Sequence, residues 1–270
     1  LIADTVASLA ETAQHKARLW RARPAAAFVY AALAGLYIAL GIALIFAVGA
    51  PFADDHSPAL KLVMGTSFGI ALSLVIFAGS DLFTSNTMTL PLAAGRGLLT
   101  PGRAALVIAA SWLGNLAGAW VAALLVWGSG VLGSADVLLQ KYAAVKMGAA
   151  PGALFLKGLL CNLLVCLAVW TAARTTNDVA KLILIWWCLF GFIGTGYEHS
   201  VANMSLLAII VLTGNGDPYG WAGYWYNLGW VSLGNLVAGV VFMAAPYAWV
   251  ARAEAKSEER ESRSAPQTRV

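Results

Sequence analysis

Asp81-Leu82-Phe83-Thr84-Ser85-Asn86-Thr87-Met88 and Glu198-His199-Ser200-Val201-Ala202-Asn203-Met204 are two versions of one pattern. Each opens on an acid, carries a hydroxyl residue, places an asparagine five positions after the acid and has a methionine soon after. Each also interrupts a long apolar run. Residues 62–80 precede the first stretch and residues 88–95 follow it; residues 182–197 precede the second and the run resumes over 201–212. Downstream, Leu113-Gly114-Asn115-Leu116 is echoed by Leu233-Gly234-Asn235-Leu236. Asn115 follows Asp81 by 34 residues and Asn235 follows Glu198 by 37. The same features in the same order, twice, indicate an internal duplication.

The surroundings of both stretches are those of a membrane. Of 270 residues, 60% are apolar and 11% charged, with a mean hydropathy of +0.75. A soluble domain carries about a quarter charged residues, and disorder needs low hydrophobicity with high net charge. At about 20 apolar residues per crossing, the chain holds roughly six spans. They are read at 27–50, 62–95 with its interruption, 104–132, 158–173, 182–212 with its interruption, and 221–250. Residues 1–24 form an amphipathic helix with Leu1, Val6, Leu9, Ala10 and Ala13 at helical spacing, without the uninterrupted apolar core of a secretory leader. Residues 133–151 are read as a longer polar connection, and 252–270 as a charged, disordered tail.

Three spans per copy, about 25–132 and 151–251, force the second copy to be inverted. Inverted repeats with interrupted helices at matching positions locate a binding or permeation site near the bilayer midplane. Six spans put both termini on one side, with Lys16, Arg18, Arg21, Arg23, Arg96, Arg103, Arg174, Lys181 and the basic residues of the tail. The opposite loops hold Lys61, Lys141 and Lys146. The positive-inside rule makes the terminal side cytoplasmic. It also explains the net charge of +4 without a nucleic-acid partner.

Non-helical backbone at membrane depth is tolerated only inside protein or along a water-filled cavity, and a charge at the bilayer centre costs about 2.5–3.5 kcal/mol on insertion scales. Asp81 and Glu198 therefore need a reason. Capping of N–H groups freed at the breaks is preferred over contact with a permeating anion, which they would repel. His199 can donate and accept, and beside a break it is assigned to the pathway. Thr84 in the facing break either hydrogen-bonds His199 or makes a local turn bond. Asn115 and Asn235 read as glue between helices. Gly65-Thr66-Ser67-Phe68-Gly69 and the 114–118 stretch read as small-residue patterns for close packing. Cys161, Cys166 and Cys188 lie in apolar runs without metal-ligand spacing and read as core.

At Ala78-Gly79-Ser80-Asp81-Leu82-Phe83-Thr84-Ser85-Asn86, at residues 196–204, and at Cys161-Asn162-Leu163-Leu164-Val165-Cys166, the chain resembles the formate/nitrite transporter family. The wording around Thr84 and Trp186-Trp187-Cys188 is most similar to the nitrite branch. The resemblance implies an all-α, aquaporin-like protomer of six helices, with helices two and five broken, in a homopentamer with one pore per protomer. It implies a multi-pass protein of a bacterial inner membrane, without a cofactor, conducting small anions: nitrite foremost, formate or hydrosulfide as alternatives. The family's central histidine matches His199, its break threonine Thr84, its pore asparagines Asn162 and Asn235, and its vestibule lysine Lys146. Its apolar slits match Phe68, Leu72, Leu82, Phe83, Val165 and Phe192.

The physics of such a pore is plain. Lys146 would gather anions at the outer mouth, apolar slits act as dewetted barriers, and a bare anion pays heavily to enter them. A weak-acid anion can take up a proton and cross neutral. His199 would either supply that proton or stabilise the anion; the sequence leaves both open. Three other classes are weighed. A neutral-solute channel shares the broken-helix plan, but the Asn-Pro-Ala motifs expected at its half-helices are absent. An intramembrane enzyme would use Glu198 and His199 for acid–base work, but no nucleophile or metal-ligand set accompanies them. A receptor or scaffold would show no solute flux.

Overall fold

Pro24, Pro101 and Pro151 each stand in the first turn of a long helix, where the missing proline N–H costs nothing because that group would have no intrahelical partner. The computed structural model describes residues 1–264, with side chains to residue 257. An N-terminal helix α1 (Ile2–Ala22) precedes span one, α2 (Pro24–Asp54). Span two is built from α3 (Leu60–Ser67), α4 (Ile70–Leu74), a π-helical turn (Val75–Gly79) and, after a break, α5 (Phe83–Gly95). Span three is α6 (Pro101–Ser129), and a short helix α7 (Asp136–Met147) follows. Span four is α8 (Pro151–Ala173); span five is α9 (Asp178–Thr195) and, after a second break, α10 (Ser200–Leu212). Span six runs through α11 (Gly220–Val237), a π-helical segment (Ala238–Ala244) and α12 (Ala245–Ser264).

The packing repeats as the sequence does. Spans one and three lie along each other in the first copy, and spans four and six in the second. The half-helix α10 packs on α6, and α5 packs on the π-helical part of span six, so each copy completes the other. A Cβ at Gly118 would land on the carbonyl oxygen of Ala32; only glycine lets spans one and three come this close. Many large apolar side chains stay exposed, among them Leu113, Leu125, Val179, Ile183 and Trp187, a surface that a bilayer accepts and water does not.

Two expectations from the sequence need correction. Residues 133–151 contain helix α7. Its polar residues hide a buried apolar edge of Leu138, Leu139, Ala143 and Met147. Residues 252–264, read as disordered tail, continue the last helix. They are rich in Ala, Glu, Lys and Arg, all strong helix formers, and the Glu254 carboxylate accepts the N–H of Ala3 at 2.9 Å, which joins α1 to α12 on one face. The remainder of the tail, 265–270, lies outside the described residues.

Candidate functional site

Each break begins two residues before its acid. Gly79 (φ +81°) and Gly196 (φ +79°) both adopt the left-handed conformation, which glycine enters without the Cβ penalty. The exposed backbone is then satisfied in the same way in both copies. The N–H of Asp81 donates to Tyr30 O at 3.1 Å, and that of Glu198 to Lys157 O at 3.2 Å. The Asn115 amide donates to Asp81 O at 2.8 Å and accepts from the N–H of Phe83 at 2.8 Å. The Asn235 amide donates to Glu198 O at 3.1 Å and accepts from the N–H of Ser200 at 2.9 Å. Their second amide hydrogens reach Ala31 O and Gly158 O. A carboxamide both donates and accepts, so one residue can bridge the two ends of a break.

The acids therefore do not cap the breaks through their side chains, as the sequence suggested. Asp81 accepts from Lys16 Nζ (3.0 Å), Trp20 Nε1 (3.0 Å) and Asn86 Nδ2 (2.8 Å). Glu198 accepts from Lys146 Nζ (2.7 Å) and Asn203 Nδ2 (2.6 Å). Lys16 and Lys146 also donate to the asparagine of their own cluster. A carboxylate at this depth needs a full countercharge, which neutral N–H groups do not supply. The pairing of Lys16 with Asp81 escaped the sequence reading because Lys16 lies on α1, outside the duplicated region.

His199 caps α10. Its Nδ1 accepts the N–H of Ala202 at 3.0 Å, which assigns the proton of the neutral ring to Nε2. Nε2 lies 3.1 Å from Thr84 Oγ1 in the facing break. The Thr87 hydroxyl donates to Thr84 O at 2.6 Å, so the threonine's carbonyl is held separately from its hydroxyl. The imidazole stacks on Phe192, with ring centroids 5.8 Å apart, and Phe192 meets Phe68 edge-on at 5.6 Å.

Cavities run to this ring from one face and stop short of it on the other. From the face opposite the termini, an open vestibule of about 320 Å³ reaches down to Phe192 and His199. Next to it lies a chamber of about 10 Å³, walled by Phe68, Leu72, Val165, Phe192 and His199, together with Ile38 and Leu189. On the face with the termini, a cavity of about 200 Å³ is bounded by Leu82, Val75 and Tyr30, with Leu9, Thr12 and Lys16 of α1 in its wall. Of the slit residues that the resemblance implied, Phe68, Leu72, Val165 and Phe192 surround the chamber, and Leu82 borders the cavity on the face with α1. Phe83 lines neither. Ile38 and Leu189 carried no signal beyond ordinary span residues.

The asparagines are placed differently from the implied pore positions. Asn235 spends all its amide hydrogens on backbone, and Asn162 Nδ2 donates to Asn235 O and to Thr87 Oγ1 at 2.9 Å. Neither lines a vestibule. Asn162 Oδ1 and Ser200 Oγ are buried without a partner among the described residues.

Lys146 also differs from the free vestibule charge that the resemblance implied. It is buried, and Glu198 neutralises it. Lys146 lines the vestibule together with Lys61, Lys141 and Lys157, and the vestibule's one lining carboxylate is Glu198. Burial and the Glu198 charge push the phenol of Tyr142, on α7 in the same wall, up to about 12, so it stays protonated.

Comparison with known proteins identifies the family and the fold. The chain is 46% identical over 253 residues to the nitrite transporter NirC of Salmonella typhimurium, covering 93% of this chain and 92% of that one. It is 45% identical over 257 residues to NirC of Escherichia coli, covering 94% of each. A solved structure described as an FNT family ion channel superposes with a TM-score of 0.86 at 45% identity, over 92% of this chain and 98% of that one. A pentameric formate channel with formate bound shares the fold, with a TM-score of 0.68 at 23% identity over 83% of this chain and 95% of that one. The formate/nitrite transporter profile matches residues 3–249, and the chain is a multi-pass membrane protein that belongs to this family.

Proposed function

We propose that this chain conducts small monovalent weak-acid anions, nitrite foremost, through one passage per protomer of a homopentamer in a bacterial inner membrane, with both termini cytoplasmic. It performs no covalent chemistry on its substrate. The observation that carries the reading is His199, whose ring is at once the floor of the outer vestibule and a wall of the apolar chamber.

An anion arriving at the outer face meets Lys61, Lys141 and Lys157, whose positive charge no lining acid cancels. Such a vestibule raises the local anion concentration and the entry rate. The Phe68–Phe192 edge and Leu72 then strip its water, and a bare charge in that chamber is costly. A weak-acid anion escapes the cost by taking a proton from hydronium in the vestibule, which leaves water, crossing as the neutral acid and releasing the proton on the far side. The Nε2–H of His199 serves as a fixed donor to the oxygen being desolvated. A doubly protonated ring would have to give up the α10 cap at Nδ1, which favours hydrogen bonding over proton donation by the ring itself. Chloride, the anion of a strong acid, has no such route.

Flux into proteoliposomes, measured with nitrite, formate and chloride between pH 5 and 8, tests this reading. Nitrite and formate flux should rise as pH falls, with chloride excluded. Equal passage of chloride, or glycerol permeation without anion flux, would refute it.

A further inference from the structure

A basic pocket outside the permeation pathway lies on the face that carries both termini. It opens between α1 and the loop joining α5 to α6, with a volume of about 480 Å³. Arg18 and Arg21 of α1 and Arg103 of α6 line it, above a floor that includes Leu98 and Leu99. No carboxylate lines it, and none of the three arginines forms a salt bridge among the described residues. Elsewhere in the chain Lys16, Lys146 and Lys181 are each paired with an acid.

The walls are fixed. Gln14 Nε2 donates to Leu98 O at 3.2 Å, and Arg103 Nη2 donates to Ala17 O at 3.2 Å, tying α1 to the loop and to the first turn of α6. Arg18 Nη2 rests on Gln14 Oε1 at 3.0 Å. Arg21 sits in the last turn of α1 just before span one, and Arg103 in the first turn of span three. The pocket therefore opens where two membrane helices meet the bilayer surface.

We infer that this pocket binds a phosphate group, carried by an anionic phospholipid or free in solution. Guanidinium forks match phosphate oxygens in pairs. The leucine floor suits the apolar part of a lipid at headgroup depth, and basic clusters beside membrane spans attract anionic lipids. The inference needs only the membrane setting of the spans and does not depend on which anion the pathway conducts.

The full-length protein, delipidated in detergent, tests it. Binding is followed by native mass spectrometry and by the thermal unfolding midpoint, with phosphatidylglycerol, with phosphatidylcholine, and with inorganic phosphate against chloride at equal ionic strength. Arg18→Gln/Arg21→Gln is the variant of choice, because both side chains are exposed and Arg103, which anchors α1, is left intact. Phosphatidylglycerol retained over phosphatidylcholine, and bound about tenfold more weakly by the variant, identifies a lipid headgroup. A stabilisation by inorganic phosphate alone, lost in the variant, identifies the free ion. Arg18→Lys/Arg21→Lys, which keeps charge without the fork, should fall between. Binding unchanged in the glutamine variant, or no preference over the phosphatidylcholine and chloride controls, overturns the assignment.

Discussion

Thr84 Oγ1 and His199 Nε2 stand 3.1 Å apart although 115 residues separate them in sequence, and this bond joins the two broken helices across the middle of the protein. With Nδ1 committed to the α10 cap, Nε2–H is the ring's one movable donor. Thr84→Val removes its resting partner and leaves a buried donor unpaired, a loss of about 1–3 kcal/mol. Nitrite flux in proteoliposomes should fall by about tenfold or more, with Thr84→Ser close to wild type. Full activity in the valine variant would show that the bond is dispensable.

The Lys146–Glu198 pair is buried and only 2.7 Å long. Lys146→Met or Glu198→Gln alone leaves its partner uncompensated, at a cost of about 3–5 kcal/mol. Combining the two should restore much of the lost unfolding midpoint. Independent, additive losses would mean that the two charges do not compensate one another.

If Glu198 cancels Lys146, the field at the mouth of the vestibule belongs to Lys61, Lys141 and Lys157. The triple change to glutamine should slow nitrite entry several-fold at an ionic strength of about 0.01 M, where the screening length is about 30 Å. The difference should vanish near 1 M salt. A salt-independent defect would point to structural damage instead.

Gly79 and Gly196 hold positive φ ahead of each break. At Gly196 a Cβ would meet nothing within 4 Å, so Gly196→Ala isolates the backbone term, about 1–2 kcal/mol of destabilisation. Gly196→Asn should cost less, since asparagine tolerates this conformation better. An unchanged thermal midpoint in the alanine variant would show that the chain reaches the break another way.

Much of this arrangement was legible in the sequence because bilayers punish exceptions. Acids inside apolar runs stand out, and their repetition with Asn115 and Asn235 exposed the duplication before any coordinates. The identity of the caps was not legible. An asparagine 34 or 37 residues downstream carries no mark of which carbonyl it will meet, whereas an acid at the break itself is the obvious local candidate. Helix α7 was hidden by Gln140, Lys141 and Lys146, whose polarity reads as loop until its buried edge finds α2. The state of Lys146 was hidden for a similar reason: a lysine in a connecting segment looks solvated, and its partner Glu198 lies 52 residues away.

The most direct test concerns the imidazole itself. Nitrite flux is measured in proteoliposomes across pH for the wild type and for His199→Asn, with chloride as the reference anion. The structure predicts an altered pH profile or a lower nitrite-to-chloride ratio in the variant, because the Nε2–H donor is lost. Identical pH-dependent flux and identical selectivity in the two proteins would contradict the account and remove His199 from the pathway.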